Sequence, residues 1–244
     1  EPAVTKQGGN SAVNLNVKKV KKVRINKDRV YHILAGGMPN FSRQSITSIA
    51  LILLNVVAAK YGDGVIAALT ISSRILALAY MIMIGWGQGF QPICAMNYGA
   101  KQYDRVKKAF KFAVIGGTLF LIIAAILLYV FSEPLIKTMS NDNEVILVGA
   151  EILRMQCITM PLLGYFAISS MLMQNIGQYF WASIISISRQ GIFYIPLLYI
   201  LSNIFGQFGI YLLQPVADVL SFGLAVIVVR KIKFANDKCK KDGI

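Results

Sequence analysis

Long runs of apolar residues constrain this chain more than any other feature. The clearest run is residues 112–132, which contain no charged side chain. About 20 predominantly apolar residues are enough for a helix to cross a bilayer. Hydrophobic residues make up 56% of the 244 positions and charged residues 15%, against roughly a quarter in ordinary soluble domains. We therefore predict an integral membrane protein.

Five further apolar runs bring the number of predicted membrane helices to six. The predicted spans are approximately residues 33–59, 65–96, 112–132, 145–176, 179–204 and 208–229. Pro161 lies in the interior of the fourth span. The predicted fold is an all-α, polytopic membrane helix bundle with six transmembrane helices.

Basic residues are distributed unevenly around these spans. A run of seven Lys and Arg at residues 18–29 precedes the first span, five follow the second and six follow the sixth, whereas the loops between the other spans hold only Lys60 and Lys137. Because cytoplasmic loops are enriched in Lys and Arg, both termini are predicted to be cytoplasmic. The same rule explains the net charge of +14, so we do not expect nucleic acid as a partner.

The ends of the apolar region divide the chain into three parts. We predict a basic cytoplasmic linker over residues 1–29, a transmembrane lobe over 30–230 and a basic cytoplasmic tail over 231–244. Basic segments beside a membrane helix are expected to contact anionic lipid head groups. Residue 1 is Glu and residues 1–26 are polar and basic, so we expect the sequence to be part of a longer gene product.

The loop after the second span has a sequence pattern that predicts its local structure. Residues 97–100 read NYGA, and glycine is common just past the end of a helix. Residues 104–111 are basic, and Tyr103, Val106 and Phe110 are spaced to form one apolar edge. The pattern predicts that residues 104–111 lie along the inner membrane interface as a basic amphipathic segment.

Asp218 is the clearest candidate for a functional side chain, because an ionisable group inside a span is costly in lipid. It lies near the middle of the sixth span. Its helical face also carries Gln207, Tyr211, Gln214 and Ser221, which predicts that the face turns toward a cavity or other helices. Asp218 either binds a coupling cation or proton, or forms a structural ion pair with a buried arginine.

Four arginines within the spans are candidate partners for Asp218. We expect Arg43 and Arg154 to extend to the membrane interface through their long side chains. For Arg74 and Arg189 we expect a structural pair or a place in a substrate cavity. The sequence does not pair any of them with Asp218. The other polar candidates for a cavity wall are Gln44, Asn55, Gln88 and Gln214.

The chain lacks the side-chain patterns that catalysis or metal binding commonly uses. It has one histidine, and its three cysteines (Cys94, Cys157 and Cys239) are far apart. HExxH and GxSxG motifs are absent from the sequence. We predict that it is not an enzyme and that it holds neither a metal nor another cofactor.

Several spaced motifs resemble one transporter family. Residues 85–111 read GWGQGFQPICAMNYGAKQYDRVKKAFK, which resembles the end of the second helix in the C-terminal half of a MATE-family multidrug efflux transporter. Further matches are AALTISSRI at 67–75, GMP at 37–39 with Arg43-Gln44, RQG at 189–191 and QPVAD at 214–218. The resemblance covers about residues 30–230 in family order.

The resemblance implies one six-helix lobe of a cation-coupled antiporter that exports organic cations or drugs by alternating access. It implies a proton or sodium ion as coupling ion, the plasma membrane as location, and an N-terminal six-helix lobe, in the same gene or a separate chain, as partner. A close alternative is a flippase for lipids or lipid-linked oligosaccharides, whose cavity would need basic residues facing a pyrophosphate. The other alternative is a half-transporter fragment that does not transport.

Overall fold

The computed structural model describes residues 27–241, and its regular elements in this range are helices and helical turns. In chain order they are α1 (Lys27–Ala58), α2 (Asp63–Gly99), α3 (Tyr103–Val130), α4 (Ser132–Lys137), α5 (Asn143–Thr159), α6 (Leu162–Asn175), α7 (Tyr179–Ile187), α8 (Tyr194–Phe205) and α9 (Gln207–Lys241). A 3-10 turn (Ala59–Tyr61) follows α1, and a π turn (Ser188–Ile192) joins α7 to α8. Most of the predicted linker lies outside the described residues.

The helices confirm the predicted all-α membrane bundle. Within residues 27–241, five helical segments are long and apolar enough to cross a membrane, and the number rises to six if α5 and α6 count as one bent span. Large apolar side chains such as Leu78, Ile126 and Ile227 are exposed on the surface of the lobe. Such a surface is suited to lipid rather than to water.

The fourth predicted span is broken rather than continuous. Helix α5 ends at Thr159, α6 begins at Leu162, and the two axes differ by 57°. Pro161 lies in the break, where its missing N–H and its ring interrupt the helical hydrogen bonds. The fifth span is also irregular, because the π turn interrupts it at Ser188–Ile192.

The predicted interfacial segment is the beginning of a membrane helix instead. Helix α2 ends at Gly99 as predicted, but α3 begins at Tyr103 and continues without interruption to Val130. Val106 is buried in the bundle, and Phe110 packs against Phe90 and Tyr165. The apolar edge therefore packs against neighbouring helices, so the prediction that it lies along the membrane interface was wrong.

Three apolar clusters pack the helices together, and α5 lies between two of them. One cluster joins α2, α3, α5 and α6, a second joins α1, α2, α5, α8 and α9, and a third joins α6, α7 and α9. The Ser72 hydroxyl donates a hydrogen bond to the Gly149 carbonyl at 2.9 Å, which ties α2 to α5. Gly164 lets α6 approach α3 closely, because a Cβ atom there would lie 3.0 Å from the Thr118 backbone.

Candidate functional site

The polar face of α9 turns toward other helices, as its sequence pattern predicts. Tyr211, Asp218 and Ser221 on this face are buried, and Gln207 and Gln214 are half-buried. Gln207 donates a hydrogen bond from Nε2 to the Tyr211 hydroxyl near the start of α9. The face therefore carries polar groups from the start of the helix to Asp218 in the interior.

Asp218 is at the centre of a hydrogen-bonded ion pair. Arg189 Nε donates to Asp218 Oδ1 at 2.6 Å, and only 2% of the Asp218 side chain and 16% of the Arg189 side chain are exposed. Gln214 Nε2 donates to the same oxygen at 2.8 Å, and Thr159 Oγ1 donates to Oδ2 at 3.2 Å. Both carboxylate oxygens are thus bonded, as a buried charge requires.

The groups around Asp218 come from three places where a helix is irregular. Thr159 is the last residue of α5, directly before the bend. Arg189 belongs to the π turn, an element that is rare and often found at functional sites. On α9, Pro215 lies between Gln214 and Asp218. One carboxylate therefore connects the break in α5–α6, the π turn and the proline-containing part of α9.

Tyr80 on α2 adds a fourth element to this cluster. Its ring centroid lies 5.4 Å from Arg189 Cζ. A guanidinium over an aromatic ring at this distance is attracted by the ring's negative face. The ring and the Asp218 carboxylate together hold the Arg189 side chain between α2, the π turn and α9.

A cavity of about 310 Å³ adjoins the ion pair. Its wall includes Asp218 and Gln214, together with residues from α1, α2, α5 and the π turn. Six of these are Arg43, Gln44, Tyr80, Gln156, Arg189 and Gln190. Leu76, Met160, Leu163 and Phe166 supply apolar surface. The wall therefore combines apolar area with a few polar groups, as ligand-binding cavities commonly do.

Two glutamines on this wall have unsatisfied atoms. Gln156 Oε1 and Gln190 Oε1 are buried and have no hydrogen-bond partner within the described residues. An unpaired buried polar atom costs free energy. Both side chains could gain a hydrogen bond from a ligand or a water molecule in the cavity.

The same cluster defines what the site could do with a cation. Hard cations prefer oxygen ligands, and the candidates here are Asp218 Oδ2 and Thr159 Oγ1, 3.2 Å apart. In the part of the chain that the structure describes, no three His, Cys, Asp or Glu side chains come together as a metal site. The neighbouring Arg189 charge opposes a cation at Asp218 for as long as the ion pair stays closed.

Comparison with known proteins decides the family. The sequence model of the MatE family matches residues 39–200. The chain belongs to the MATE family. Its members are transporters rather than enzymes, and the all-helical bundle and the multidrug efflux relatives agree with this.

Curated relatives of this MATE chain include the multidrug export protein MepA of Staphylococcus haemolyticus. The chain is 24% identical to it over 224 residues, which are 92% of this chain and 48% of that protein. MepA of Staphylococcus aureus is 25% identical over 89% of this chain and 47% of its own length. The chain thus spans about half the length of the curated relatives it matches.

Solved MATE structures share the fold. The lobe matches an outward-facing multidrug resistance MATE transporter with a TM-score of 0.83, at 18% identity, over 90% of this chain and 50% of that one. It matches a mutant of the Vibrio cholerae MATE transporter VcmN with a TM-score of 0.78, at 21% identity, over 87% and 49%. The MATE multidrug transporter DinF-BH, solved as a complex, is 32% identical, with a TM-score of 0.72 over 86% and 48%.

The structure of this MATE lobe gathers some of the predicted site residues and separates others. Asp218, Arg189, Gln214 and Gln44 all line the cavity. Three other candidates are exposed and do not line it, namely Asn55, Arg74 and Gln88. Ser73 and Ala77, on the same helix as Arg74, do contribute to the wall.

The remaining two arginines differ from each other. Arg154 forms an ion pair with Glu133, with Nη2 2.9 Å from Oε1, in which both side chains are partly exposed. Arg43 instead lines the cavity and is half-buried. Arg43 therefore contributes to the cavity wall, and the expectation that its side chain extends to the membrane interface stays a prediction.

Sequence reasoning missed four members of the site, namely Tyr80, Gln156, Thr159 and Gln190. The sequence did offer a reason to consider Gln190, because it follows Arg189 in a stretch that resembles the family. Gln156 and Thr159 lie one turn before the bend, and such a place could have been sought at Pro161. Tyr80 shares its helix with many apolar residues, and nothing in the sequence distinguishes it.

Proposed function

We propose that this lobe is half of an antiporter that exports organic cations or drugs by alternating access, coupled to the entry of protons or sodium ions. The observation that carries the proposal is the position of Asp218. It is a buried carboxylate beside a cavity, and its hydrogen bonds reach the α5–α6 bend and the π turn. A change in the charge of Asp218 would therefore alter its hydrogen bonds to both interrupted spans.

Coupling would act through competition with Arg189. A proton or sodium ion at Asp218 would neutralise the carboxylate and weaken its 2.6 Å bond to Arg189. The Thr159 bond to the other oxygen would change at the same time. Bends between helix segments are places where a few residues can absorb large dihedral changes. Loss of the cation would restore the ion pair and the starting arrangement.

The cavity wall offers ways to hold an organic cation without using Asp218. The Tyr80 ring can face a cationic group, and the amide oxygens of Gln156 and Gln190 can accept hydrogen bonds from its N–H groups. Leu76, Met160 and Phe166 provide apolar contact for the body of a drug. A wall of this kind suits amphipathic molecules of varied shape.

The second half of the cavity is proposed to come from an N-terminal six-helix lobe, encoded in the same gene or in a separate chain. This chain spans 48% of one MepA relative and 50% of one solved transporter. The DNA directly upstream of the Glu1 codon tests this. An in-frame six-span half there would identify one gene, and a separate gene for such a half would identify a two-chain transporter.

Coupled transport is tested with the complete transporter in proteoliposomes. The informative variant combines Asp218→Asn with Arg189→Met, because it removes the titratable group without leaving an unpaired buried charge. We expect it to fold and to lose at least ten-fold of the gradient-driven transport of a fluorescent organic cation. Glu133→Gln combined with Arg154→Met, which removes an ion pair whose members do not line the cavity, is the matched control. Undiminished gradient-driven transport in the double variant would contradict the role of Asp218.

We also propose that the protein lies in the plasma membrane with both termini in the cytoplasm, on the basis of the Lys and Arg distribution. Cysteine labelling in intact cells tests this, after Cys239→Ser removes the native thiol beside the tail position. Asn141→Cys should react with a membrane-impermeant reagent and Lys238→Cys should not. The opposite labelling pattern would reverse the topology.

The charges on the cavity wall weigh against the flippase alternative. A pyrophosphate would need several uncompensated basic groups. Of the four arginines in the spans, two line the cavity, and one of these is bonded to Asp218. The alternative of a non-transporting fragment predicts that no gradient drives transport even when the second lobe is supplied.

A further inference from the structure

The cavity wall carries more positive than negative charge. Arg43 from α1 and Arg189 from the π turn both line it, and Asp218 is the one carboxylate among the described residues of the wall. Asp218 is paired with Arg189 through a 2.6 Å hydrogen bond. Arg43 forms no ion pair with any residue in the described range, so its charge is uncompensated.

An uncompensated guanidinium in this position is costly. Arginine keeps its proton under all ordinary conditions, and a charge within the membrane region is unfavourable unless an anion or water faces it. Arg43 is half-buried, and the other charged residues of the wall, Arg189 and Asp218, are paired with each other. An oxyanion beside it would accept charge-assisted hydrogen bonds, which are among the strongest available in proteins.

Packing of α1 against the π turn fixes Arg43 relative to the rest of the cavity. Gly191 in the π turn allows this approach, because a Cβ atom there would lie 2.9 Å from Ile46 Cγ2. Thr47 Oγ1 donates to the Arg43 carbonyl at 2.7 Å on the same turn of α1. The backbone that carries Arg43 is thus held against the turn that carries Arg189.

We propose that Arg43, with the Gln44 amide beside it, is an oxyanion-recognising subsite of this cavity. Its ligand is an amphipathic molecule that presents a carboxylate or a phosphate to Arg43 and packs its apolar body against Leu76, Met160 and Phe166. A single net positive charge suits one oxyanion group and not a pyrophosphate. The inference replaces the organic cation of the proposed function with an anionic drug, and it rests on that function only in taking this cavity as the substrate cavity.

Binding to the 244-residue chain tests the subsite without any ion gradient. The probes share one fluorescent aromatic body and differ in their head group, which is a carboxylate, its methyl ester or a trimethylammonium. In detergent the chain should bind the carboxylate about ten-fold more tightly than the ester, as expected for one hydrogen-bonded charge of about 1.4 kcal/mol. Equal binding of these two probes, or tighter binding of the trimethylammonium probe, would overturn the proposal.

Two variants separate the subsite from general electrostatic attraction. Arg43→Gln should abolish the difference between carboxylate and ester, and Arg43→Lys should keep part of it. Arg154→Gln removes the same charge far from the cavity wall and should keep the full difference. An equal loss in Arg154→Gln and Arg43→Gln would overturn the proposal. Even if an Arg43 variant does not fold, the comparison of carboxylate and ester binding to the unaltered chain still tests whether the cavity prefers an oxyanion.

A further arm distinguishes the possible sources of the oxyanion. In nanodiscs of zwitterionic lipid the carboxylate probe should bind as in detergent. If added anionic lipid displaces it, the head group of a lipid is the occupant, and if not, the occupant is a soluble amphiphile. Both results support oxyanion recognition.

Adding the second lobe gives another test. If it abolishes the carboxylate preference, a carboxylate of that lobe pairs with Arg43 and the proposal fails. A failure of coupled transport would leave these binding results unchanged.

Discussion

Two arginine–carboxylate pairs in this lobe have the same chemistry in different surroundings. In the first, Arg154 and Glu133 are 39% and 53% exposed and lie 2.9 Å apart. In the second, Arg189 and Asp218 are 16% and 2% exposed and lie 2.6 Å apart. The first ties the short helix α4 to α5, and the second connects α9 to the π turn and, through Thr159, to the α5–α6 bend.

The comparison shows that surroundings, rather than the presence of an ion pair, decide its importance. An exposed pair gains little because water solvates both charges almost as well when they are apart. A buried pair cannot lose one member without leaving the other charge unsolvated. The Arg189–Asp218 pair therefore holds its neighbourhood in one arrangement, and any cation that opens it acts on several helices.

The largest effect is expected from breaking the buried pair on one side. Asp218→Asn leaves Arg189 without a countercharge, which should lower the free energy of unfolding by about 3–5 kcal/mol. Thermal and denaturant unfolding of the purified protein in detergent measure this loss, together with the expression level. A midpoint equal to that of the unaltered protein would show that water or another group solvates Arg189.

A smaller loss is expected when both charges are removed together. Arg189→Met combined with Asp218→Asn leaves no buried charge, and the single amide oxygen of the new side chain keeps an acceptor for either the Gln214 or the Thr159 bond. We expect the double variant to recover about 1–3 kcal/mol relative to Asp218→Asn alone, the range found for contacting residues. A double-mutant cycle measures this. Additive losses would mean that the two charges do not stabilise each other.

The sequence predicted the spans well because hydropathy reports lipid contact along a whole helix. It did not predict how the fourth and fifth spans are interrupted. Pro161 lies in the interior of the fourth span, but proline in a membrane helix is compatible with anything from a slight kink to a full break. In the structure α6 packs closely against α3 at Gly164, and contacts of this kind join residues that are distant in the sequence.

The candidate site could be predicted in part for a similar reason. Asp218 and Arg189 are recognisable one at a time, since a charge in a span is costly wherever its helix lies. Their pairing depends on how α9 and the π turn are rotated about their axes, and the π turn itself shifts that rotation. Thr159 and Gln156 carry no comparable signal, because small polar residues are common where membrane helices pack.

A moderate effect is expected from removing only one hydrogen-bond donor to the buried pair. Thr159→Val keeps the shape of the side chain but leaves Asp218 Oδ2 without its 3.2 Å hydrogen bond. Hydrogen bonds to charged groups contribute about 1.5–3 kcal/mol, and the length of this one favours a loss of about 1.5 kcal/mol. Thr159→Ser keeps the hydroxyl and is the control in the same unfolding measurement. Equal stability of the Val variant and the unaltered protein would show that Oδ2 finds another donor.

The smallest effect is expected at the exposed pair. Glu133→Gln removes the carboxylate charge. Arg154 remains partly solvated and still donates a 2.8 Å hydrogen bond to the buried Ser132 hydroxyl. The free energy of unfolding should fall by less than about 1 kcal/mol. Because salt screens exposed charges over roughly 10 Å at about 0.1 M, this small difference should disappear as the salt concentration rises, whereas the loss in Asp218→Asn should remain. Unfolding of the three proteins at low and high salt measures both changes. A loss at Glu133 that matches the loss at Asp218 and persists in high salt would show that burial does not separate the two pairs.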